Sequence, residues 1–210
     1  MAKTLIAVPC MDMVHTDFME SMVNMHKTEE CSFTVLKNTL IYIARNIIAA
    51  NAIQYGFERV MWFDSDMKFP ADTLEKLSAW MDKGYDFVSG LYFTRRPPIK
   101  PVIYSELHYE KTKESFDAGA TNFHGYPEAF TEIAAAGFGC VLTSTDLLKR
   151  VGDQFGSPFT PYDGLGEDLS FCLRAMQIGA KMYCDTSIKC GHIGYMEYNE
   201  DFYKAQGVIK

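Results

Sequence analysis

The sequence predicts an α/β protein with three layers, in which helices cover both faces of a mostly parallel, mixed central sheet beside a small secondary β-region. Two features of the 210-residue chain carry this prediction. Short apolar runs that suit buried strands alternate along residues 4–93 with longer segments whose apolar residues recur at helical spacing. Such a β-α-β order places parallel strands side by side, with helices on both faces of the sheet.

Four strands and three helices account for the first half of the chain. Phe18, Met22 and Met25 recur at helical spacing and mark the first helix. Gly56 suits the position just after a helix, and Pro70 suits the first turn of one. The predicted strands are 4–10, 31–36, 60–63 and 86–93, and the predicted helices are 16–26, 40–55 and 70–83.

The second half is less regular. Pro, Gly and polar residues dominate 95–128, which we interpret as an inserted excursion or hairpin region. Residues 131–143 are predicted to form one long strand, in which Gly137 and Gly139 mark a bulge or a close backbone approach. The remaining predicted elements are helices at 145–151 and 167–178, brief strands at 182–184 and 188–190, and a polar, aromatic tail after residue 194.

The composition limits the partners and the compartment. A net charge of −7 argues against nucleic acid or an anionic membrane as the main partner. The six cysteines form no C-x-x-C pair, which favours reduced thiols in a cytoplasmic protein over a disulfide framework. The longest apolar run, 40–53, is broken by Arg45, Asn46 and Asn51 and is too short for a membrane span. We therefore expect a single cytoplasmic domain, 1–210, whose oligomeric state stays open.

Two aspartates follow the third predicted strand at its carboxyl end. Side chains alternate along a strand, so Asp64 and Asp66 point to one side and Ser65 to the other. Converging carboxylates favour a hard divalent cation such as Mn²⁺ or Mg²⁺. The alternative is a turn in which one aspartate caps the next helix and the other is solvated. We favour the metal, because ligands of such sheets bind beyond the carboxyl ends of the strands.

Glu167, Asp168 and His192 are further candidates. The two acids open a predicted helix, where carboxylates also stabilise the helix dipole without any other role. The functional interpretation is that one of them is a general base. His192 is bracketed by glycines after a short strand, which makes it a candidate third metal ligand and favours Mn²⁺. A lone histidine is nevertheless more often structural.

Arg45 interrupts an otherwise apolar helix. It is either a snorkelling side chain at the solvent edge or a cleft-facing arginine that meets phosphate, and the sequence supports the two equally. Other frameworks are missing, namely the P-loop, G-x-G-x-x-G after the first strand, G-x-S-x-G and H-E-x-x-H. ATPase, dehydrogenase, hydrolase and zinc-protease functions therefore lack sequence support.

Seven motifs follow one another along residues 4–195, and each alone is loose. They are VP at 8–9, ARN at 44–46, WFDSD at 62–66 with FP at 69–70, DFVSG at 86–90, AGFG at 136–139, GED at 166–168 and HIG at 192–194. In this order they resemble glycosyltransferases of the GT-A (Rossmann-like) fold, especially the small family-2-like bacterial and phage enzymes.

The resemblance implies a UDP- or GDP-sugar donor, a divalent metal and transfer of the sugar to an acceptor hydroxyl of a carbohydrate or another molecule. It implies that Asp66 and His192 ligate the metal, with Asp64 near both the ribose and the metal. Asp168, with Glu167 beside it, would deprotonate the acceptor in an inverting enzyme. The nucleotide-sugar would contact Pro9, Cys10, Met11, Arg45, Ser65, Gly137, Phe138 and Gly139.

The same resemblance divides the domain into a nucleotide-binding half, 1–94, an acceptor and catalytic half, 95–194, and a C-terminal tail, 195–210. Retaining transferases also combine D-x-D with a late histidine, so the stereochemistry stays open and Asp168 could instead position the acceptor. The alternative enzyme is a sugar nucleotidyltransferase, although residues 9–12 lack its glycine- and basic-rich loop. The alternative outside enzymes is a non-catalytic carbohydrate-binding protein, which aromatic residues at 14% of the chain would suit.

Overall fold

The structure, a computed structural model, describes residues 2–27, 30–123, 125–126 and 129–194. The strands are β1 (Thr4–Cys10), β2 (Cys31–Lys37), β3 (Arg59–Phe63), β4 (Met67–Lys68), β5 (Phe87–Leu91), β6 (Ile103–Lys111), β7 (Phe116–Asn122), β8 (Phe130–Ile133), β9 (Ala135–Ala136), β10 (Cys140–Ser144), β11 (Met182–Lys189) and β12 (Gly191–His192). The helices are α1 (Thr16–Asn24), α2 (Ile41–Gln54), α3 (Thr73–Met81), α4 (Thr145–Phe155) and α5 (Glu167–Gln177).

The main sheet has seven strands in the order β2-β1-β3-β10-β5-β11-β8. Strands β1, β2 and β3 are mutually parallel and β5 is parallel to β11, whereas β10 and β8 run antiparallel to their neighbours. A second, antiparallel sheet has the order β7-β6-β9. The predicted α/β class, the mostly parallel mixed sheet and the small secondary β-region are confirmed.

Helices cover both faces of the main sheet, as the alternation along β3 illustrates. Trp62 is fully buried and packs edge-on against Phe138 and Phe159, with ring centroids 6.0 and 5.3 Å away. Phe63 points to the opposite face and stacks on Phe69 at 4.0 Å. Apolar residues of α2, α4 and α5 complete the first core, and those of α1 and α3 complete the second. The three layers form because the strands of the main sheet carry apolar side chains on both faces, and both faces are covered by helices.

The predicted long strand at 131–143 is wrong. The chain forms β8 at the edge of the main sheet, crosses to the small sheet as β9, and returns as β10 between β3 and β5. The small residues around Ala134 allow this crossing, and the Ala134 N–H donates to the Tyr104 carbonyl of β6 at 2.8 Å. The predicted close backbone approach is observed, because a Cβ on Gly137 would lie 2.1 Å from the Tyr92 hydroxyl.

The two brief strands predicted at 182–184 and 188–190 are in fact one strand, β11, whose pairing with β5 shifts register between Asp185 and Lys189. The predicted halves 1–94 and 95–194 share the main sheet, since β10 and β11 of the second half flank β5 of the first. The predicted tail, 195–210, lies outside the described residues. Within the described chain, no helix is long and apolar enough to cross a membrane.

Two pairings bring distant segments to one edge of the main sheet. Because β1 and β3 are parallel, the residues that follow them emerge together. The short strand β12 pairs antiparallel with β4, with His192 opposite Met67. The Ile193 N–H also donates to the Asp66 carbonyl at 2.8 Å. The carboxyl edge of the sheet therefore gathers chain segments from both halves of the sequence.

Candidate functional site

A cavity of about 760 Å³ lies at this carboxyl edge. Ten of the thirteen residues predicted for the site line it: Pro9, Cys10, Met11, Arg45, Asp64, Ser65, Asp66, Glu167, Asp168 and His192. The cavity is of the size that small-molecule and cofactor sites have in proteins. The structure therefore assembles most of the predicted residues around one space large enough for a ligand.

The other three predicted residues, Gly137, Phe138 and Gly139, do not line the cavity. Phe138 is 1% exposed and packs inside the first core. The two glycines admit the buried ring of Tyr92, since a Cβ on Gly139 would lie 2.9 Å from its Cζ atom. Tyr92 itself faces the cavity. Contact of these three residues with a donor sugar stays a prediction that this geometry does not support.

Asp66 and His192 meet at the β4–β12 pairing. The His192 Nε2 atom lies 3.7 Å from Asp66 Oδ2. The Nδ1 atom of His192 donates to the Phe93 carbonyl at 2.8 Å, and this assignment follows because a carbonyl only accepts. The Nε2 atom is then the ring nitrogen that faces Asp66. The other oxygen of Asp66, Oδ1, is buried without a hydrogen-bond partner in the structure.

This pair has the chemistry of a partial metal site. A carboxylate oxygen with no partner and an imidazole nitrogen held by a carbonyl through its other nitrogen suit Mn²⁺. Among the described residues, no three His, Cys, Asp or Glu side chains are grouped closely enough to hold an ion by themselves. Further ligands would have to come from a bound molecule or water. Metal ligation by Asp66 and His192 therefore fits the geometry and stays a prediction.

Burial and charge act in opposite directions on Asp66. Burial alone would raise the pKa of its carboxyl, but the interaction with His192 and the positive charge of Arg95 outweigh it and lower the pKa below the ordinary value. The Arg95 guanidinium forms an ion pair with Asp66 Oδ2. Asp66 is therefore held as an anion at neutral pH.

Asp64 is engaged differently from Asp66. The Arg45 Nη2 atom donates to Asp64 Oδ1 at 2.8 Å, and Arg45 Nε lies 3.5 Å from Glu167 Oε1. Arg45 is 2% exposed, so the interpretation as a snorkelling side chain at the solvent edge is wrong. Burial raises the pKa of Asp64, and the Arg45 charge opposes that rise. Asp64 thus serves as the partner of a buried arginine, and its predicted role as a metal ligand stays a prediction.

Asp168 stands in the first turn of α5, with Oδ1 accepting from the Leu169 N–H at 2.8 Å. Burial, and then the neighbouring charge of Glu167, raise its pKa from 3.8 to about 6. Such a carboxylate is both largely ionised and appreciably basic near neutral pH. These are the properties that the predicted general base requires.

The loop before α5 is anchored on several sides, which fixes the start of that helix. Asn46 Oδ1 accepts from the Phe159 N–H at 2.9 Å, and Ser170 Oγ accepts from the Tyr162 N–H at 2.9 Å. The buried Arg174 donates to the Pro158 carbonyl at 3.1 Å. Asn46, the neighbour of Arg45 in the sequence, therefore contacts the loop that precedes α5.

The sequence interpretation missed Tyr92 and a cationic loop after β5, which also line the cavity. Tyr92 is 4% exposed, and its hydroxyl accepts from the Gly139 N–H at 3.2 Å. The loop supplies Arg95, Arg96 and Lys100. Its signal in the sequence was the only local cluster of basic residues in an acidic chain, placed just after a strand that ends at the carboxyl edge.

No protein-family model and no curated protein sequence matches the chain. Solved structures do resemble it. The crystal structure of A197 from STIV aligns with a TM-score of 0.68 at 17% identity, over 92% of this chain and 86% of that one. The crystal structure of GalNAc-T7 with UDP, GalNAc and Mn²⁺ aligns with a TM-score of 0.64 at 12% identity, over 93% of this chain and 44% of that one. The chain has a GT-A-like fold, and at these identities the likeness establishes the fold alone.

Proposed function

We propose that the protein is a glycosyltransferase of the family-2-like kind, which moves a sugar from a UDP- or GDP-sugar to an acceptor hydroxyl with the help of Mn²⁺ or Mg²⁺. The observation that carries this proposal is that Asp66, His192 and Asp168, from three separate segments, line one cavity of about 760 Å³. The GT-A-like fold supports it further, because one structure with this fold holds UDP, GalNAc and Mn²⁺.

The Asp66 carboxylate and the His192 Nε2 atom would hold the metal. When bound, a divalent cation offsets the negative charge that grows on the diphosphate as the sugar leaves. The lowered pKa of Asp66 keeps this carboxylate charged, and the Phe93 carbonyl fixes the ring orientation of His192. The pair is thus oriented before any ligand arrives.

Asp168 would act as the general base. As the acceptor oxygen attacks the anomeric carbon, its proton passes to the Asp168 carboxylate, and the bond from that carbon to the donor phosphate oxygen breaks. Glu167 lies beside Asp168 and helps to keep its pKa near 6. Arg45 in turn pairs with both Glu167 and Asp64, and so positions these two acids.

The base and ribose of the donor would lie along the β1 side of the cavity, against Pro9, Cys10 and Met11, with Ser65 nearby. These residues line the cavity together with Asp64. Met11 is 64% exposed, so it can move to accommodate a ring. The sugar to be moved would then extend towards Asp168.

The proposal is tested by incubating UDP- and GDP-sugars with Mn²⁺ and candidate acceptors, and by measuring release of the nucleoside diphosphate. Asp66→Asn is expected to lose metal-dependent nucleotide binding. Asp168→Asn is expected to bind normally and to turn over about 100-fold more slowly or worse. Asp82→Asn changes an aspartate outside the cavity and is the matched control.

Each alternative gives a different result in the same assay. A sugar nucleotidyltransferase would consume a nucleoside triphosphate and a sugar phosphate, and would release pyrophosphate. A carbohydrate-binding protein would bind glycans and ignore both Mn²⁺ and nucleotides. If Asp168→Asn transfers sugar at the wild-type rate, the assignment of the base is wrong.

A further inference from the structure

Arg95 and His192 converge on the same oxygen of Asp66. The Arg95 Nη1 atom pairs with Asp66 Oδ2, and the His192 Nε2 atom lies 3.7 Å from that oxygen. A metal held between Asp66 and His192 would therefore have to occupy space next to the guanidinium. At such separations two cations repel each other strongly in a partly buried site. Arg95 and a divalent metal are thus competitors for one carboxylate.

The Arg95 side chain is held in this position by weak contacts. Its Nη1 atom also donates to the Ile193 carbonyl at 3.4 Å, and a Cβ on Gly194 would lie 3.1 Å from its Cδ atom. The side chain lies flat over residues 193–194, yet 46% of it stays exposed. Because nearly half of the Arg95 side chain is exposed, its guanidinium can turn towards solvent when another cation takes its place at Asp66.

The charges in the cavity indicate where Arg95 would go. Arg45 is 2% exposed, and its charge is already shared by Asp64 and Glu167. The rim cations are Arg95, Arg96 and Lys100, and within the described residues only Arg95 of these three forms an ion pair. A diphosphate entering the cavity would therefore meet this cationic loop, and a guanidinium suits phosphate oxygens well.

We propose that Arg95 is an internal counterion of Asp66 that a divalent metal displaces, and that Arg95 then binds the diphosphate of the incoming nucleotide. Metal and nucleotide consequently bind with positive coupling: each alone binds weakly, and the metal binds well only when a diphosphate receives the displaced guanidinium. This inference rests on the proposed function and adds to it a coupling between metal and nucleotide binding, together with the residue that produces the coupling.

The test measures binding rather than turnover. Free Mn²⁺ is followed by electron paramagnetic resonance during titration of the protein without nucleotide. Arg95→Gln is expected to bind Mn²⁺ about tenfold more tightly, because the competing cation is gone. Arg95→Lys retains the charge, and its Mn²⁺ affinity is expected to be closer to that of wild type. Arg96→Gln removes the same charge from the next residue, makes no contact with Asp66, and is expected to change the affinity less than about threefold.

The second arm titrates UDP and GDP calorimetrically with saturating Mn²⁺. Arg95→Gln is expected to weaken nucleotide binding about fivefold or more, because the guanidinium no longer reaches the diphosphate. One substitution would thus tighten metal binding and weaken nucleotide binding, which general damage to the site cannot do. Thermal melting verifies that the variants are folded.

The outcomes separate this inference from the proposed function. If Asp66→Asn abolishes Mn²⁺ binding and Arg95→Gln binds Mn²⁺ like wild type, the competition is refuted and the metal site stands. If Arg96→Gln tightens Mn²⁺ binding as much as Arg95→Gln does, the effect comes from the loss of any one positive charge near the cavity. The specific role of Arg95 is then refuted. If neither wild type nor Arg95→Gln binds Mn²⁺, both proposals fail.

Discussion

Arg45 donates to Asp64 at 2.8 Å from a side chain that is 2% exposed, and the same guanidinium lies 3.5 Å from Glu167. One buried cation therefore joins helix α2, the end of β3 and the first turn of α5. Two of its nitrogens, Nε and Nη1, have no hydrogen-bond partner. Its Cζ atom also lies 5.0 Å from the centroid of the Phe138 ring. Asp64 and Glu167 therefore share one buried counterion.

Replacing Arg45 with Met is expected to destabilise the protein by about 3–5 kcal/mol, because it leaves two partly buried carboxylates without their counterion. Urea unfolding monitored by circular dichroism measures the loss. Arg150→Gln breaks pairs with Asp86 and Asp146 at the surface and serves as the control, with a much smaller expected effect. Equal losses in the two variants would mean that Arg45 has no special structural role.

The pH dependence of turnover should report on Asp168. The carboxylate must be ionised to accept a proton, and its pKa is raised to about 6. Transfer by wild type is therefore expected to fall about tenfold per pH unit below pH 6 and to level off above pH 7. Any residual activity of Asp168→Asn should not show this decrease below pH 6. A profile that stays flat between pH 5 and 7 would exclude Asp168 as the titrating base.

The same raised pKa affects folding stability with a definite sign. The folded state binds the Asp168 proton more tightly than the unfolded chain, whose carboxyl has its ordinary pKa of 3.8. The contribution of this residue to stability therefore rises as pH falls from about 6 to about 4. Asp168→Asn should remove this pH-dependent contribution to stability. Urea midpoints of both proteins at pH 7 and pH 5 provide the measurement, and equal pH slopes would contradict it.

Gly137 is expected to tolerate no side chain because of Tyr92. A Cβ there would lie 2.1 Å from the buried Tyr92 hydroxyl and 2.8 Å from a methyl of Val102. Gly137→Ala should cost about 1–3 kcal/mol, and Tyr92→Phe in the same chain should restore part of it. Gly152→Ala is the control, since its Cβ would meet only Pro158 at 3.7 Å within helix α4. That change should stabilise the protein by about 0.5–1 kcal/mol.

Local signals in the sequence were sufficient to predict several individual strands and helices. Strand β3 and the acids after it were predictable because an apolar run of buried residues stops abruptly at Asp64. Helices α1 and α2 were predictable from spacing and from Gly56. The edge of the sheet at which the cavity lies followed from the parallel β-α-β order. The motifs and the resemblance to GT-A glycosyltransferases named ten of the residues that line it.

Contacts between segments that lie far apart along the chain could not be predicted from the sequence. Nothing local shows that the chain leaves the main sheet after Ile133, where its pairing partner changes from β11 to β6. Likewise, the sequence did not decide whether Arg45 is buried or exposed, because this depends on its two acidic partners, Asp64 and Glu167. Arg95 was visible as part of a basic cluster, but its pairing with Asp66 depends on the path of the loop after β5.

The most direct test of the central claim asks whether Asp66 and His192 share one ion. Mn²⁺ affinity is measured in the presence of UDP or GDP for wild type, Asp66→Asn, His192→Ala and the double variant. A shared ion predicts that each single change loses most of the affinity and that the double variant loses little more. Losses that simply add, or a wild-type affinity that neither change affects, would contradict the account.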